Sequence, residues 1–217
     1  MKNYDPARAT PSSIIKPGEL LRTEREETTH LSVIDKEGNA VAVTTTLNNS
    51  YGSRTVVGGA GFFLNDEMDD FSIKPGVPNM YGAVGGEANS IKAGKRMLSS
   101  MTPTLVLKDG KPFIVVGTPG GTTIPTQVFQ TLVNILEFNM STEDAVYKPK
   151  FHHQWLPDEL MIEKGFPAPV KDALQKMGYT FGRERGGIGR TECIRVLPNG
   201  KFEAVADIRG DDSAEGY

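Results

Sequence analysis

The chain has 217 residues, 38% of them hydrophobic and 24% charged, a balance that supplies one sizeable core or a core shared with a second chain. Its 24 Lys and Arg are scattered among 27 Asp and Glu for a net charge of −3, which excludes the basic footprint of a nucleic-acid or polyanion binder. Cys193 is the single cysteine, so no internal disulfide forms, no apolar run reaches the roughly 18 residues of a membrane span, and Met1–Pro6 lacks the apolar stretch of a secretion signal.

Residues 1–27 carry Pro6, Pro11, Pro17 and Gly18, then the charge-dense run from Arg22 to Glu27, with no strand or helix period. They read as a leader or linker, placing a boundary between 1–27 and a domain over 28–217. From Thr28 the pattern changes to β: Thr28 to Ile34 and Ala40 to Leu47 predict an antiparallel hairpin around Asp35–Asn39. The stretch from Asn48 to Ser100 is rich in Gly, Asn, Asp and Ser; loops of that length inside a domain are usually functional. Thr102 to Leu107 and Phe113 to Val116 predict a second hairpin, turned by Asp109-Gly110 and running into Pro119-Gly120-Gly121. Ile124, Val128, Leu132, Ile135 and Leu136 recur at helical spacing, with Thr122 or Thr123 as cap and Pro125 in the first turn. Short helices are predicted over Ser141–Tyr147, with capping-box spacing, and over Ala168–Met177, closed by Gly178. Thr191 to Val196 and Phe202 to Asp207 make a third hairpin. Hairpins outnumber crossovers, so the expected class is α+β, mainly antiparallel sheets with flanking helices.

Several residue groups are candidates for chemistry. A threonine that heads its own chain can use its α-amine as base, and a cut before Thr28 would create one at a strand tip. Taken alone, Thr28, and Thr44-Thr45-Thr46 on the next strand, are better explained by ordinary β-propensity. Gly120-Gly121, between a strand and a helix start, can aim backbone N–H groups at an oxyanion, or can be a tight turn with no ligand. A P-loop is not spelled there, because the Gly-Lys-Ser/Thr ending is missing. Glu67, Asp69 and Asp70 suit an ammonium group, with solvated surface acids as the alternative. His152-His153 would point to opposite faces of a strand and has no third ligand nearby, so a metal site is rejected. Gly186-Gly187-Ile188-Gly189-Arg190 lacks the strand and acidic partner of a dinucleotide fingerprint and reads as a flexible turn.

Thr28-Thr29-His30, Asn65 to Ser72, Lys74 to Asn79, Leu98 to Pro103, Pro119-Gly120-Gly121 and Phe151 to Pro157 together closely resemble the small subunit of bacterial γ-glutamyltranspeptidases, across Thr28 to Tyr217. The resemblance implies an N-terminal nucleophile hydrolase with an αββα sandwich, made as a precursor that cleaves itself between Glu27 and Thr28, with residues 1–27 as the end of the large subunit. It implies Thr28 as the nucleophile taking the γ-glutamyl group of glutathione to water, an amino acid or a peptide, with Thr46 supporting it. Asn48, Glu67 and Asp70 match positions holding the α-amino and α-carboxyl ends of the glutamyl group, and Ser99 and Ser100 the serine pair on the carboxylate. Gly120 and Gly121 match the oxyanion hole, and Pro75 to Gly86, with Tyr81, a lid loop. No cofactor or metal is implied. The implied partner is the large subunit, whose helices complete the sandwich, so this chain is expected to supply only part of it and to leave apolar faces uncovered. Family members are usually periplasmic or extracellular. A poly-γ-glutamate-directed relative, or a non-catalytic unprocessed fragment, is the alternative.

Overall fold

The computed structural model describes residues 28–216; Glu27, the leader and the expected cleavage bond lie outside the described residues. Strands β1 (Thr28–Ile34) and β2 (Ala40–Thr46) form an antiparallel hairpin in which Thr28 faces Thr46 and His30 faces Thr44. Strands β3 (Thr104–Lys108), β4 (Lys111–Gly117), β7 (Glu192–Val196) and β8 (Phe202–Val205) make a second antiparallel sheet in the order β3-β4-β7-β8. The β3–β4 turn places Asp109 and Gly110 at φ of 52° and 76°, the paired positive values of a primed hairpin turn. A separate two-strand pairing of β5 (Phe151–His152) with β6 (Met161–Ile162) is not anticipated from sequence.

Alternation along β4 decides how the layers stack. Ile114 and Val116 face one way, with Cys193 of β7, and pack against Val128 and Ile135 of α1 (Ile124–Leu136) and Ala145 and Val146 of α2 (Thr142–Tyr147). Gly117 faces the other way, onto the His30 ring of β1. The order is therefore hairpin, four-stranded sheet, helices. Helix α3 (Ala168–Lys176) buries none of its residues and ends at Gly178, φ 96°.

Helix boundaries follow their end chemistry. Ser141 caps α2: its hydroxyl accepts from the Asp144 N–H at 3.0 Å, as the capping-box spacing predicts. At α1, Thr123 occupies the cap position without capping; its hydroxyl donates instead to the Gly120 carbonyl at 2.7 Å. Pro125 sits in the first turn, where no N–H is needed.

The β1–β2 hairpin turns its polar residues inward. Thr28 and His30 are buried against the second sheet, whereas Leu31, Val33, Val41 and Val43 are 57, 43, 49 and 43% exposed on the outer face. Leu31 lies opposite Val43 and Val33 opposite Val41, so the four form one contiguous aliphatic patch.

Candidate active site

The site grows from the tip of the first hairpin. Thr28 is buried and its hydroxyl donates to the Thr46 hydroxyl across the strand pair at 3.1 Å. Thr46 Oγ1 also accepts from the Asn48 N–H at 2.9 Å. Asn48 reaches that geometry at φ 73°, in the left-handed region that asparagine tolerates better than most side chains. Its amide then donates to the Asp66 carbonyl at 3.2 Å, while the Asp66 N–H donates to the Leu47 carbonyl at 3.1 Å. The acidic segment is thus fastened to the end of β2.

Glu67 to Asp70 form one 3-10 turn, which stacks the two carboxyl groups side by side. Burial, then the charge of Asp70, pushes the Glu67 carboxyl up to about 7; burial also raises Asp70. The pair shares a hydrogen bond. Two partly buried carboxyls side by side each disfavour a second negative charge on the other.

Further loop residues are tied to this turn through asparagine side chains. Asn89 donates to the Asp70 carbonyl at 2.7 Å and accepts from the Leu98 N–H at 2.9 Å, which brings the Ser99-Ser100 segment up to the acidic turn. Ser99 is exposed, Ser100 half-buried. Asn79 accepts from the N–H groups of Tyr81 and Ala83, both at 3.0 Å, and so folds the tip of the 75–86 loop onto itself. The Tyr81 hydroxyl donates to the Asn48 carbonyl at 2.8 Å, laying that loop over the hairpin tip.

The glycine turn approaches from the second sheet. Gly120 and Gly121 have φ of 145° and 53°, values that disfavour any side chain, and lead directly into α1. The turn is fixed below by a buried set: the Thr118 hydroxyl accepts from the Arg190 N–H at 3.0 Å and contacts Gln127 Oε1 at 3.0 Å. Gln127 Nε2 in turn donates to the Thr123 hydroxyl at 2.5 Å. Three residues before the glycines, Gly117 lets the His30 ring come close to the backbone; a Cβ there would sit 2.1 Å from His30 Cε1. His30, two residues from Thr28, bonds Thr44 Oγ1 at 2.8 Å and Ser32 Oγ at 3.0 Å, and burial lowers its pKa to about 4, so the ring is neutral. His30 is therefore the packed joint between the Thr28 strand and the strand that ends in the glycine turn. Its neighbours in the sequence carry no signal of this contact.

The structure brings Thr28, Thr46, Asn48, the Glu67–Asp70 pair and Tyr81 into one hydrogen-bonded group, and ties Ser99-Ser100 to it through Asn89. It positions Gly120-Gly121 from the opposite sheet. The sequence reads Arg190 only as part of a flexible turn; its guanidinium spans the Thr28 carbonyl (3.4 Å) and Asp211 (3.4 Å). Sequence reasoning did not find the half-buried Arg209, which forks onto Glu163 (2.6 and 2.8 Å) and Asp207 (2.8 and 3.0 Å) and caps the carbonyls that end α2. Glu163 also accepts from the Ile188 N–H and Asp207 from the Thr191 N–H, which pins the 188–191 segment beneath Thr118. The two adjacent histidines do diverge: His152 is buried on Thr126 and Gln154, and His153 pairs with Asp158 at 3.1 Å.

Two stacked antiparallel sheets backed by helices, with a threonine at the tip of the first strand, define an N-terminal nucleophile hydrolase fold. The family model for γ-glutamyltranspeptidase matches residues 2–217. The chain belongs to that family. It is 49% identical over 211 residues to the glutathione hydrolase proenzyme of Escherichia coli, covering 97% of this chain and 36% of that protein. Against the proenzyme of the same name from Pseudomonas aeruginosa it is 47% identical, covering 95% of this chain and 37% of that protein. The chain thus spans little more than a third of these relatives. Among solved structures, a variant of Helicobacter pylori γ-glutamyltranspeptidase superposes with a TM-score of 0.80 at 56% identity, over 84% of this chain and all (100%) of that one. γ-Glutamyltranspeptidase from Pseudomonas nitroreducens complexed with L-DON gives 0.81 at 47% identity, over 87% of this chain and 99% of that one.

Proposed function

We propose that this chain is the catalytic small subunit, over residues 28–217, of a γ-glutamyl transferase or glutathione hydrolase, with residues 1–27 the end of the large-subunit segment. The observation that carries the reading is the 3.1 Å hydrogen bond between the Thr28 and Thr46 hydroxyls at the buried tip of β1. Once the Glu27–Thr28 bond is cut, the freed α-amine takes the proton of Thr28 Oγ1 as that oxygen attacks the γ-carbonyl of the substrate. α-Amines with a pKa near about 8 are partly neutral at working pH and need no second base. Thr46 holds the attacking hydroxyl. The backbone N–H groups of Gly120 and Gly121 receive the developing oxyanion. As the amide C–N bond breaks, the proton passes from the α-amine to the leaving amine and an ester to Thr28 remains; water or an acceptor amine then attacks that ester and restores the hydroxyl.

Glu67 and Asp70 take the α-ammonium of the glutamyl group, Asn48, Ser99 and Ser100 bind its head, and Tyr81 closes the 75–86 loop above it. The large subunit is the partner that covers the aliphatic outer face of β1–β2 and completes the pocket. The test is intact-mass analysis and N-terminal sequencing of the full protein, followed by turnover of a γ-glutamyl anilide. A fragment beginning at Thr28, and turnover that Thr28→Ala abolishes, are the expected results. Normal turnover by Thr28→Ala with its partner subunit present would sink the proposal.

A further inference from the structure

The segment Phe151–Pro157 stands out in the sequence, yet the reaction proposed above gives it no part. Its Gln154 side chain has four partners. Oε1 accepts from the Thr122 hydroxyl at 2.8 Å and from His152 Nε2 at 3.0 Å; Nε2 donates to the carbonyls of Tyr81 and Leu156, each at 3.3 Å. The amide orientation is fixed chemically, because two carbonyl oxygens require the NH2 end and would repel the other. His152 is held in turn by Thr126 of α1 at 2.8 Å, so Gln154 is braced from the helix.

These partners belong to two parts of the candidate site. Thr122 directly follows Gly121. Tyr81 is the residue whose hydroxyl reaches the Asn48 carbonyl, next to the Thr46 contact, so its side chain holds the hairpin tip while its main chain is held by Gln154. Gly82, at φ 74°, passes close enough that a Cβ would lie 3.7 Å from Gln154 Nε2.

We propose that Gln154 is a positioning residue that couples closure of the 75–86 loop to the setting of the Gly120-Gly121 turn. The idea rests on the function proposed above. One amide group with its donor end on the loop and its acceptor end on the turn makes the oxyanion-binding geometry fully formed only when the loop is down. Chemistry is thereby confined to the covered site, where water is excluded and the oxyanion contacts are strongest.

The two ends can be separated by substitution. Gln154→Glu keeps the acceptor for Thr122 and His152 but removes the donor to Tyr81; it is expected to raise KM for a γ-glutamyl anilide about tenfold, the loss of a hydrogen bond or two. Thr122→Val removes only the turn contact and is expected to lower kcat about tenfold with KM held. Gln154→Leu combines both effects. Hydrogen exchange at Met80–Ala83 in the processed enzyme is expected to rise in Gln154→Glu and not in Thr122→Val. Changes below about twofold in both kinetic parameters, or a lowered unfolding midpoint alone with unaltered loop exchange, overturn the coupling. If the wild-type enzyme turns over no γ-glutamyl substrate, the proposed function fails, and loop exchange alone then decides the Gln154 link.

Discussion

Gly117→Ala tests the joint between the two sheets. The added Cβ would lie 2.1, 2.3 and 2.6 Å from Cε1, Nδ1 and Nε2 of His30, well inside van der Waals contact with three ring atoms. The ring has little room to retreat, since it is buried and both nitrogens are bonded, to Thr44 at 2.8 Å and Ser32 at 3.0 Å. Overpacking of this kind costs about 1–3 kcal/mol, and breaking a hydrogen bond in the retreat adds about 1 kcal/mol, so about 3 kcal/mol is expected. For a unit of this size that corresponds to a fall of roughly 6–12 °C in the unfolding midpoint. Calorimetry on the assembled protein measures it, and the His30→Ala, Gly117→Ala double variant supplies the control. Removing the ring makes room for the methyl group, so the double variant is expected to be more stable than the sum of the single changes predicts. A midpoint for Gly117→Ala within about 2 °C of wild type, or strict additivity, would refute the idea that ring and glycine are locked together.

Other outcomes follow from buried charge and packing. Glu67 is raised from 4.5 to about 7, so its folded form holds a proton that the unfolded chain releases; this contribution to stability falls as pH rises from about 4.5 to about 7. Ammonium binding has the opposite sign, so KM for a γ-glutamyl substrate is expected to rise as pH is lowered below about 7, and Asp70→Asn to move that inflection downward. Arg209→Met leaves the carboxylates of Glu163 and Asp207 (3 and 0% exposed) without their cation and is expected to cost about 3–5 kcal/mol, read as a lower unfolding midpoint. Burial pushes the Cys193 thiol up to about 12, so a thiol reagent is expected to label it only after unfolding; rapid labelling of native protein would contradict the packing at β7.

The sequence carried its hairpins in short-range chemistry, which is why they were legible. Asp109-Gly110 and Pro198-Asn199-Gly200 specify turns by local backbone preference, and the Ser141–Asp144 spacing specifies a cap. Facing was harder to read. Leu31 and Val33 alternate as a buried strand face would, yet the structure turns Thr28 and His30 inward, because the inner face holds the site and its supporting ring. β5 and β6 were missed because two-residue strands have no period. Glu163, Asp207 and Arg209 were missed because their pairing spans 46 residues between Glu163 and Arg209, and distance along the chain hides it. The long loop from Asn48 to Ser100 reads as site material by composition. What composition did not show is that Asn48, Asn79 and Asn89 are its fasteners, each bridging to a residue 10 or more positions away.

The outward aliphatic face of the first hairpin bears on how the protein is made. Among the described residues, β1 and β2 pair in a sheet only with each other, and the ribbon carries Leu31, Val33, Val41 and Val43 on its exposed face. A two-stranded ribbon with an oily side recruits other copies of itself when synthesised without a cover. Production of this chain by itself should therefore yield inclusion bodies, and co-expression of whatever shields the ribbon should yield soluble material.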